Sequence, residues 1–440
     1  MILVYGLKKS GISVANLLIK KNQEVRIWDD DISVRKNLVN KFGKRIFLNP
    51  LNDKLNNFKQ IYVSPGISLR QKKFNLLNKS VKLLRDSNLY ISNLNIKNVI
   101  AITGTNGKST TTKLIGDILK KNNIKTFVGG NIGEPLCNSL TSNKKFKYHV
   151  VELSSFQLEK ICNFNSKISI ITNLSSDHLD RYKSIKDYLN QKKKIISKTG
   201  INIISIDDKY SQDIFKNIAI KNKISFSIYD KSANIFMGSN YILDNYFEKN
   251  RKLFINKISK DLYGHFNNQN IVISYICCRL LSLPENIFLN TIKNFKGLPF
   301  RSKIIFQNKK LKIINNSKST NINSTINSIQ NFDNIYLILG GVAKEKKFET
   351  LSKFQDKIKC VYVFGQSAFY IEKKLNKSLN IKKFENLKSL IKIIFKDIKK
   401  DKFFSNVLFA PACTSFDQYK NFEERGREFN KLISEQLSKI

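Results

Sequence analysis

The feature that most constrains the fold is a glycine-rich turn between a buried-type strand and a helical run. The strand is predicted over Val99 to Thr103 and the helix over Thr111 to Lys121. Such a turn lets backbone N–H groups close on phosphate oxygens, and the helix N-terminus adds positive potential. The turn consists of Gly104, Thr105, Asn106, Gly107, Lys108, Ser109 and Thr110. We expect Lys108 to reach the outer phosphates and a hydroxyl of Ser109 or Thr110 to hold Mg²⁺.

The turn departs from the full G-x-x-x-x-G-K-[ST] pattern because Ile102 stands where the first glycine would be. The turn is therefore shortened. The alternative is a glycine-rich turn that only caps a helix. A Lys-Ser-Thr triple directly after such a turn is uncommon by chance, so phosphate binding is favoured.

Two polar segments follow other predicted strands and suggest metal chemistry. Glu152 ends the strand Val150 to Leu153, where a carboxylate would face the nucleotide and could bind Mg²⁺. The strand Ile168 to Thr172 leads to a loop with Asp177, His178 and Asp180. His178 is one of three histidines and is a reasonable metal ligand. Taken alone, a strand-end glutamate is usually solvated and a loop histidine usually lies on the surface.

Short apolar strands that end in Gly, Ser, Asn or Thr and lead into helical segments recur in three blocks, which is typical of parallel α/β sheets. In 440 residues this pattern predicts three domains. We expect an N-terminal Rossmann-like domain over residues 1–86 and a central P-loop-type ATPase domain with a mostly parallel sheet over residues 87–297. A Rossmann-like C-terminal domain would cover residues 298–440. Ligands in such sheets bind at the carboxyl ends of the strands.

The net charge is +43, from 77 Lys and Arg against 34 Asp and Glu. Such an excess of basic residues raises the question whether the chain binds nucleic acid. The lysines are scattered in twos and threes without a basic arm, which favours a compositional bias on solvated faces over nucleic-acid binding. The six cysteines form no C-x-x-C pair, and no signal peptide or membrane span is visible. We therefore expect a cytoplasmic monomer with small-molecule substrates, no nucleic acid and no membrane insertion.

The order of motifs resembles the Mur ligase family over essentially the whole chain. The matching segments are Val63 to Ile67, Gly104 to Thr110, Gly129 to Gly133, Glu152 to Glu159, Asp177 to Tyr182, Gly297 to Arg301, Ser317 to Asn321 and Pro411 to Gln418. The resemblance implies an ATP-dependent ligase that activates a carboxylate as an acyl phosphate and joins it to an amino acid. Its cofactors would be ATP and two Mg²⁺, and it would act in peptidoglycan precursor synthesis. Lys344 and Pro411 to Gln418 favour D-glutamate, which would join UDP-N-acetylmuramoyl-L-alanine.

The resemblance also assigns roles to single residues. Catalytic roles would fall to Lys108, Glu152, His178 and Lys192, and the metal ligands would be Ser109, Glu152, His178 and Lys192. Besides the phosphate loop, ATP would contact Asn267, Asn270, Arg301 and Lys318. The UDP-linked substrate would contact Ser10, Asp29, Gly66 and Asn131. D-Glutamate would contact Thr320, Lys344, Ser415 and Phe422, with Lys344 pairing to one of its carboxylates.

One central-domain lysine is carbamylated in the family, and counting from the Asp177-His178 loop through Tyr188 places it at Lys192. A carbamate is a carboxylate-like oxygen ligand, which with His178 could hold the second Mg²⁺. Two alternatives stay open. Lys192 to Lys194 could be an ordinary basic helix face, and a slip of one residue would give the role to Lys193.

Four residues depart from the family pattern: Lys9, Phe266, Asn316 and Lys347. None of them removes a phosphate or metal ligand, so altered affinities are expected rather than loss of activity. The nearest alternative function is a ligase of the same family with another amino acid. A nucleic-acid-stimulated ATPase and a dinucleotide oxidoreductase are alternatives of other classes. The oxidoreductase is disfavoured because Gly6 and Gly11 lack the central glycine of G-x-G-x-x-G.

Overall fold

The computed structural model describes residues 1–50, 55–179, 181–262 and 264–438. The chain divides into two compact units. The first comprises Met1–Leu174, Lys183–Ile255 and Gln269–Thr291, and the second comprises Ser175–Tyr182, Asn256–Asn268 and Ile292–Ile440. The strands of the described residues form three separate sheets, two in the first unit and one in the second. The domain boundaries after residues 86 and 297 stay predictions.

The first sheet is wholly parallel, with the strand order β2-β1-β3-β4. Its strands are β1 (Ile2–Tyr5), β2 (Val25–Trp28), β3 (Gln60–Val63) and β4 (Lys82–Leu84). The helices of this part are α1 (Lys9–Lys20), α2 (Ile32–Phe42), α3 (Lys72–Asn75) and α4 (Asp86–Ile91). Alternate residues of β1 face opposite sides, so Val4 joins one apolar cluster while Leu3 and Tyr5 join another. Burial on both faces explains why β1 is a continuous apolar run.

The second sheet is the largest in the described part of the chain and runs in the order β13-β12-β11-β10-β9-β8-β5-β7-β6. Its strands are β5 (Val99–Thr103), β6 (Thr126–Gly130), β7 (Tyr148–Glu152), β8 (Ile168–Ile171), β9 (Ile201–Ser205), β10 (Lys223–Ser227), β11 (Ile235–Met237), β12 (Tyr241–Asp244) and β13 (Arg251–Phe254). Its helices are α5 (Lys108–Lys121), α6 (Asn138–Thr141), α7 (Ser155–Leu158), α8 (Ile185–Lys193), α9 (Lys209–Asn217), α10 (Phe266–Leu280) and α11 (Glu285–Lys293). Among the described strands of this sheet, only the β11-β12 and β12-β13 pairings are antiparallel.

The third sheet has the order β14-β15-β19-β16-β17-β18 and is parallel except for the β14-β15 pair. Its strands are β14 (Lys303–Gln307), β15 (Leu311–Asn315), β16 (Ile335–Gly340), β17 (Ile358–Phe364), β18 (Ile381–Phe384) and β19 (Ser405–Phe409). The helices α12 (Ile322–Ile329), α13 (Ala368–Leu375), α14 (Leu387–Lys399) and α15 (Phe422–Leu437) belong to this part. Two apolar clusters cover its two faces. The α/β class and the mostly parallel sheets are confirmed.

The strand order of the second sheet determines where its functional loops meet. Strands β8, β5, β7 and β6 are consecutive neighbours and mutually parallel. Their carboxyl ends therefore lie along one edge of the sheet. The segments that leave this edge begin at Thr172, Gly104, Leu153 and Asn131. The phosphate loop and Glu152 are thus brought together by the topology.

Candidate functional site

Two glycines of the phosphate loop are required by close approaches. Gly104 has φ +146°, and a Cβ atom there would lie 1.9 Å from Thr172 Oγ1. Gly107 has φ +81°, and its Cβ would lie 2.6 Å from Asn270 Oδ1. Asn270 also accepts a hydrogen bond from Thr111 Oγ1 at 2.8 Å. Asn270, an expected ATP contact, therefore packs directly against the loop.

The centre of the loop is held by the segment that follows β8. The Asn106 N–H donates to Asn173 Oδ1 at 2.9 Å, and the Asn106 carbonyl accepts from Thr172 Oγ1 at 2.6 Å. Asn173 in turn donates to Gln269 Oε1 at 2.9 Å. Sequence reasoning did not assign a role to Asn173 or Gln269. Glu152 was noticed because it is a polar residue at the end of a buried strand. Asn173 directly follows the predicted strand Ile168 to Thr172, so the same signal was available for it.

Two lysines converge on the carbonyl of Gly104. Lys108 Nζ donates to the carbonyls of Gly104 and Thr105, both at 2.8 Å. Lys192 Nζ lies 2.6 Å from the Gly104 oxygen and 4.9 Å from the centre of the Tyr188 ring. The Tyr188 hydroxyl is within 3.2 Å of Thr105 Oγ1. An ammonium group is buried only at a cost unless polar groups surround it, and here the phosphate loop supplies them.

The exposure of α8 separates Lys192 from its neighbour. Lys192 is 2% exposed, whereas Lys193 is an exposed residue. Ser184 is the N-cap of the helix, and its hydroxyl accepts from the Asp187 N–H. The helix turns Tyr188 and Lys192 inward. Residues four apart share a helix face, which accounts for this pair. Lys193 instead faces solvent.

Glu152 links the phosphate loop to the segment after β6. Its Oε2 accepts from Ser109 Oγ at 2.5 Å, and its Oε1 accepts from Asn131 Nδ2 at 2.7 Å. Glu152 and Ser109 are buried, with 1% and 3% exposure. Mg²⁺ prefers carboxylate and hydroxyl oxygens, so this donor set fits the ion. Thr110 follows on α5 and is half-buried.

The residues expected to contact the UDP-linked substrate lie in the first unit. Asp29 Oδ2 accepts from the Leu7 N–H at 2.6 Å. This bond joins the end of β2 to the segment from Gly6 to Gly11, here called the glycine loop. Ser10 is half-buried in α1. Gly66 lies in the Ser64–Ile67 turn, where the Ile67 N–H donates to the Ser64 carbonyl at 2.9 Å. Ser64 Oγ donates to the Gly6 carbonyl at 2.6 Å, so the turn and the glycine loop are neighbours.

Lys344 forms a buried ion pair in the second unit. Its Nζ lies 2.6 Å from Asp177 Oδ1, and the two side chains are 9% and 8% exposed. Burial favours a raised pKa for Asp177, but Lys344 and His178 hold that pKa well below its usual range. Asp177 Oδ2 also accepts from Asn321 Nδ2 at 3.3 Å. Asn321 is the N-cap of α12 and directly follows Thr320, so Thr320 is next in the chain to a residue that binds Asp177.

His178 shares the loop of Asp177. It adopts φ +54°, an uncommon conformation for a residue other than glycine, and its N–H donates to Asp177 Oδ1 at 2.8 Å. Its Nε2 lies 3.6 Å from Asp177 Oδ2. Asp180, the other acidic residue of this loop, lies outside the described residues.

A buried arginine binds the segments that lie next in sequence to Lys318 and Ser415, and it stands in the helix that begins at Phe422. Arg425 is 0% exposed and donates to the carbonyls of Gly340, Ser317 and Cys413 at 3.2, 2.8 and 3.1 Å. Burial lowers the pKa of Arg425 to about 10. Lys318 Nζ lies 4.3 Å from the centre of the Phe422 ring. Ser415 is buried, and Phe422 begins α15.

The expected site residues thus fall into two sets. The first unit holds the phosphate loop with Glu152, Lys192, Asn270 and the four residues for the UDP-linked substrate. The second unit holds His178, Asn267, Arg301, Lys318 and the four residues for D-glutamate. Asn267 is buried in α10, whereas Arg301 is half-buried just before β14. In the described part of the chain, no three His, Cys, Asp or Glu residues form a metal-binding group.

The described helices include none that is both long and apolar enough to cross a bilayer. The six cysteines are free thiols, and burial raises the pKa of Cys413 to about 12. Burial likewise raises the pKa of Cys137, Cys277, Cys278 and Cys360, so the five buried thiols are not prepared for nucleophilic chemistry.

Comparison with known structures shows the fold. The chain is similar to the UDP-N-acetylmuramate-alanine ligase of Thermotoga maritima, with a TM-score of 0.63 and 18% identity over 99% of both chains. It is also similar to a MurF ligase of Thermotoga maritima solved in complex with ADP, with a TM-score of 0.61 and 19% identity. That match covers 88% of this chain and 92% of the other.

Comparison of sequences shows the family. Residues 102–278 match the model described as the Mur ligase middle domain. The chain is 35% identical over 444 residues to the UDP-N-acetylmuramoylalanine--D-glutamate ligase of Rickettsia bellii (strain RML369-C), covering 98% of this chain and 96% of the relative. It is 36% identical over 451 residues to the enzyme of that name from Buchnera aphidicola subsp. Acyrthosiphon pisum (strain Tuc7), covering 99% and 98%. The chain therefore belongs to the Mur ligase family, among the UDP-N-acetylmuramoylalanine--D-glutamate ligases.

Proposed function

We propose that this protein joins D-glutamate to UDP-N-acetylmuramoyl-L-alanine in an ATP-dependent ligation through an acyl phosphate. The full-length relatives are named for this acceptor and this amino acid. The observation that carries the proposal is the hydrogen-bonded group Ser109–Glu152–Asn131. It joins the phosphate loop to a residue expected to contact the acceptor, and phosphoryl transfer to the acceptor requires such proximity.

The chemistry follows from the poor leaving ability of a carboxylate oxygen. Transfer of the ATP γ-phosphoryl group to the alanyl carboxylate forms a C–O–P linkage and releases ADP. The D-glutamate amine then attacks the carbonyl carbon, and its nitrogen gives up one proton to water. Phosphate leaves with the electron pair of the C–O bond, which gives the amide. Lys108 and the N-terminus of α5 would offset the repulsion between the two anions in the first step.

The roles of the ATP site follow from its contacts. Ser109 and Glu152 would hold Mg²⁺, which when bound neutralises phosphate charge. Residues Gly104 to Thr110 would cradle the phosphates, and Asn267, Asn270, Arg301 and Lys318 would contact the nucleotide. His178 is proposed as a further metal ligand. The ADP complex of a structural relative agrees with nucleotide use by this fold.

The proposed contacts of the two other substrates are those of the sequence-based assignment. Ser10, Asp29, Gly66 and Asn131 would bind the UDP-linked acceptor, and Thr320, Lys344, Ser415 and Phe422 would bind D-glutamate. We place the functional domains at residues 1–86, 87–297 and 298–440. Since ATP and nucleotide sugars are cytoplasmic compounds, the reaction would take place in the cytoplasm. A monomer is the proposed form of the protein.

Lys192 is the proposed carbamylated residue. Its neutral amine would add to the carbon of dissolved CO₂, forming an N–C bond and releasing one proton to give a carbamate anion. Burial at 2% exposure and contact with the phosphate loop support Lys192, whereas Lys193 is exposed. A carbamate oxygen would be a further hard ligand for Mg²⁺.

The matched variants Lys192→Ala and Lys193→Ala test this assignment. Lys192→Ala should reduce kcat at least about a hundredfold because a metal ligand is lost, and Lys193→Ala should retain activity. Intact-mass measurement at raised bicarbonate should show one labile carbamate on the wild type and on Lys193→Ala only. Equal activities of the two variants would contradict the assignment.

The reaction itself is tested by phosphate release from ATP with UDP-N-acetylmuramoyl-L-alanine as acceptor. D-Glutamate, L-glutamate and diaminopimelate are compared as amino acids. Release with D-glutamate alone is expected. Release with another amino acid would change the substrate, and release stimulated by a polynucleotide instead would favour the ATPase alternative.

A further inference from the structure

Two adjacent residues of opposite charge are buried where β4 meets α4. Arg85 is 0% exposed and Asp86 is 3% exposed. Burying a charge is costly unless it is paired and hydrogen-bonded, so each of these side chains needs a set of partners. Their partners lie on functional loops of the first unit.

Arg85 is bound to the turn that contains Gly66. Its Nη1 lies 3.0, 2.8 and 3.1 Å from the carbonyl oxygens of Val63, Ser64 and Ile67. Its Nη2 forms an ion pair with Glu159. The planar guanidinium can bind several acceptors at once, which a lysine ammonium at this position cannot match. Arg85 thus fastens the Ser64–Ile67 turn to Glu159.

Asp86 lies beside Ser10, next to the glycine loop. It lines the same small cavity as Ser10 and Ser64. Burial raises the pKa of the Asp86 carboxyl, and Gln157, the Ser87 N–H and Ser10 oppose that rise. Its Oδ2 accepts from Gln157 Nε2 at 3.0 Å, and its Oδ1 accepts from the Ser87 N–H at 3.0 Å. Asp86 thus lies beside Ser10 and is hydrogen-bonded to Gln157.

The contacts of Arg85 and of Asp86 both reach one short segment, α7 and the residue that follows it. Gln157 and Glu159 lie in or directly after α7, which begins with the capping box of Ser154, two residues after Glu152. The Glu159 carbonyl accepts from Lys194 Nζ at 2.6 Å, two residues after Lys192. The pair therefore ties the two loops to the chain that carries Glu152 and to the end of the helix that carries Lys192.

We infer that Arg85 and Asp86 are positioning residues that hold the Ser10 and Gly66 loops in register with the phosphoryl-transfer site. This inference rests on the proposed function, because it takes these loops as the site of the UDP-linked acceptor. Small displacements of a reacting group lower rates steeply: a shift of about 1 Å can cost about a hundredfold. Anchoring both loops to the Glu152 segment removes this freedom.

The variants Arg85→Lys and Glu159→Gln test the inference by steady-state kinetics. Each is expected to raise KM for the UDP-linked acceptor about tenfold while KM for ATP and D-glutamate changes less than about twofold. The matched control is Arg251→Lys, because Arg251 forms ion pairs with Glu248 and Glu285 in the same unit but on β13. The control should leave all three KM values unchanged. Equal increases in all three KM values, or loss of thermal stability alone, would overturn the inference.

Calorimetric binding of UDP, without turnover, separates this inference from the proposed reaction. The wild-type protein should bind UDP, and Arg85→Lys and Glu159→Gln should each weaken that binding about tenfold. Because the two side chains form an ion pair, the effects of the two substitutions on the binding free energy should not add in the double variant. Asp86→Asn keeps the size of the side chain and one oxygen that can accept a hydrogen bond. It should therefore weaken UDP binding less than Arg85→Lys does. Absence of UDP binding to wild type, or unchanged binding in the variants, would overturn the positioning role. Intact UDP binding without ligation would instead refute the proposed reaction.

Discussion

Acidification should destabilise the first unit through His149. This residue lies on β7, is 4% exposed, and packs against the rings of Tyr90, Phe127 and Phe146 at centroid distances of 5.9, 5.5 and 5.6 Å. Its Nδ1 is buried and has no hydrogen-bond partner within the described chain. Burial lowers the pKa of His149 from 6.5 to about 4. An apolar, aromatic setting offers little to stabilise the imidazolium.

The direction and size of the effect follow from proton linkage. Between pH 6.5 and 4 the unfolded chain binds a proton at this histidine and the native protein does not, so stability falls as the pH falls through this window. Each pKa unit corresponds to about 1.4 kcal/mol, which gives about 3 kcal/mol for the whole window. Between pH 7 and pH 5 the loss attributable to His149 is about 2 kcal/mol.

The assay is urea unfolding at pH 7 and pH 5 for wild type, His149→Phe and His149→Gln. The two variants cannot titrate at this position, so each should lose about 2 kcal/mol less than wild type on acidification. His265→Gln, which removes an exposed imidazole, serves as the control. An equal loss in wild type and both His149 variants would refute the linkage. Histidine NMR that showed His149 titrating near pH 6.5 would refute the proposed pKa.

Two further substitutions test the two sets of site residues. Gly104→Ala should abolish ATP binding, measured by calorimetry, because the new Cβ would lie 1.9 Å from Thr172 Oγ1; Gly43→Ala, with φ +78° and no atom within 4 Å, should cost only about 1 kcal/mol in thermal unfolding. Normal ATP binding by Gly104→Ala would contradict this geometry. Lys344→Met should lower the stability of the second unit by about 3 kcal/mol, since Asp177 would be left buried and unpaired. It should also raise KM for D-glutamate, whereas the exposed Lys346→Met should do neither; a stable Lys344→Met with unchanged KM would argue against both roles.

Local patterns in the sequence were sufficient for much of the fold. The strands predicted over Val99 to Thr103, Val150 to Leu153 and Ile168 to Thr172 correspond to β5, β7 and β8. Buried parallel strands consist of apolar runs that end in loop-forming residues, so they can be recognised without knowledge of their neighbours. The antiparallel strands β11 to β13 have no such pattern and were not predicted.

The phosphate loop could likewise be read from the chain, because its strand, glycines, lysine and helix are consecutive. The sequence by itself therefore determined the kind of chemistry that Gly104 to Thr110 and Glu152 can perform. It also carried the family likeness. Which side chains meet is a different matter, since contacts between distant segments depend on strand order and helix rotation.

Only the tertiary structure decided those contacts. The rotation of α8 buries Lys192 and exposes Lys193, although the two are chemically identical neighbours in the sequence. The fold pairs Lys344 with Asp177 across 167 positions of chain. It also gives Arg85 its partners on the Gly66 turn and Asp86 its partner Gln157, although neither residue stands out in the sequence. A charge acquires a specific role when burial removes water and leaves a fixed set of partners, and burial is a property of the folded chain.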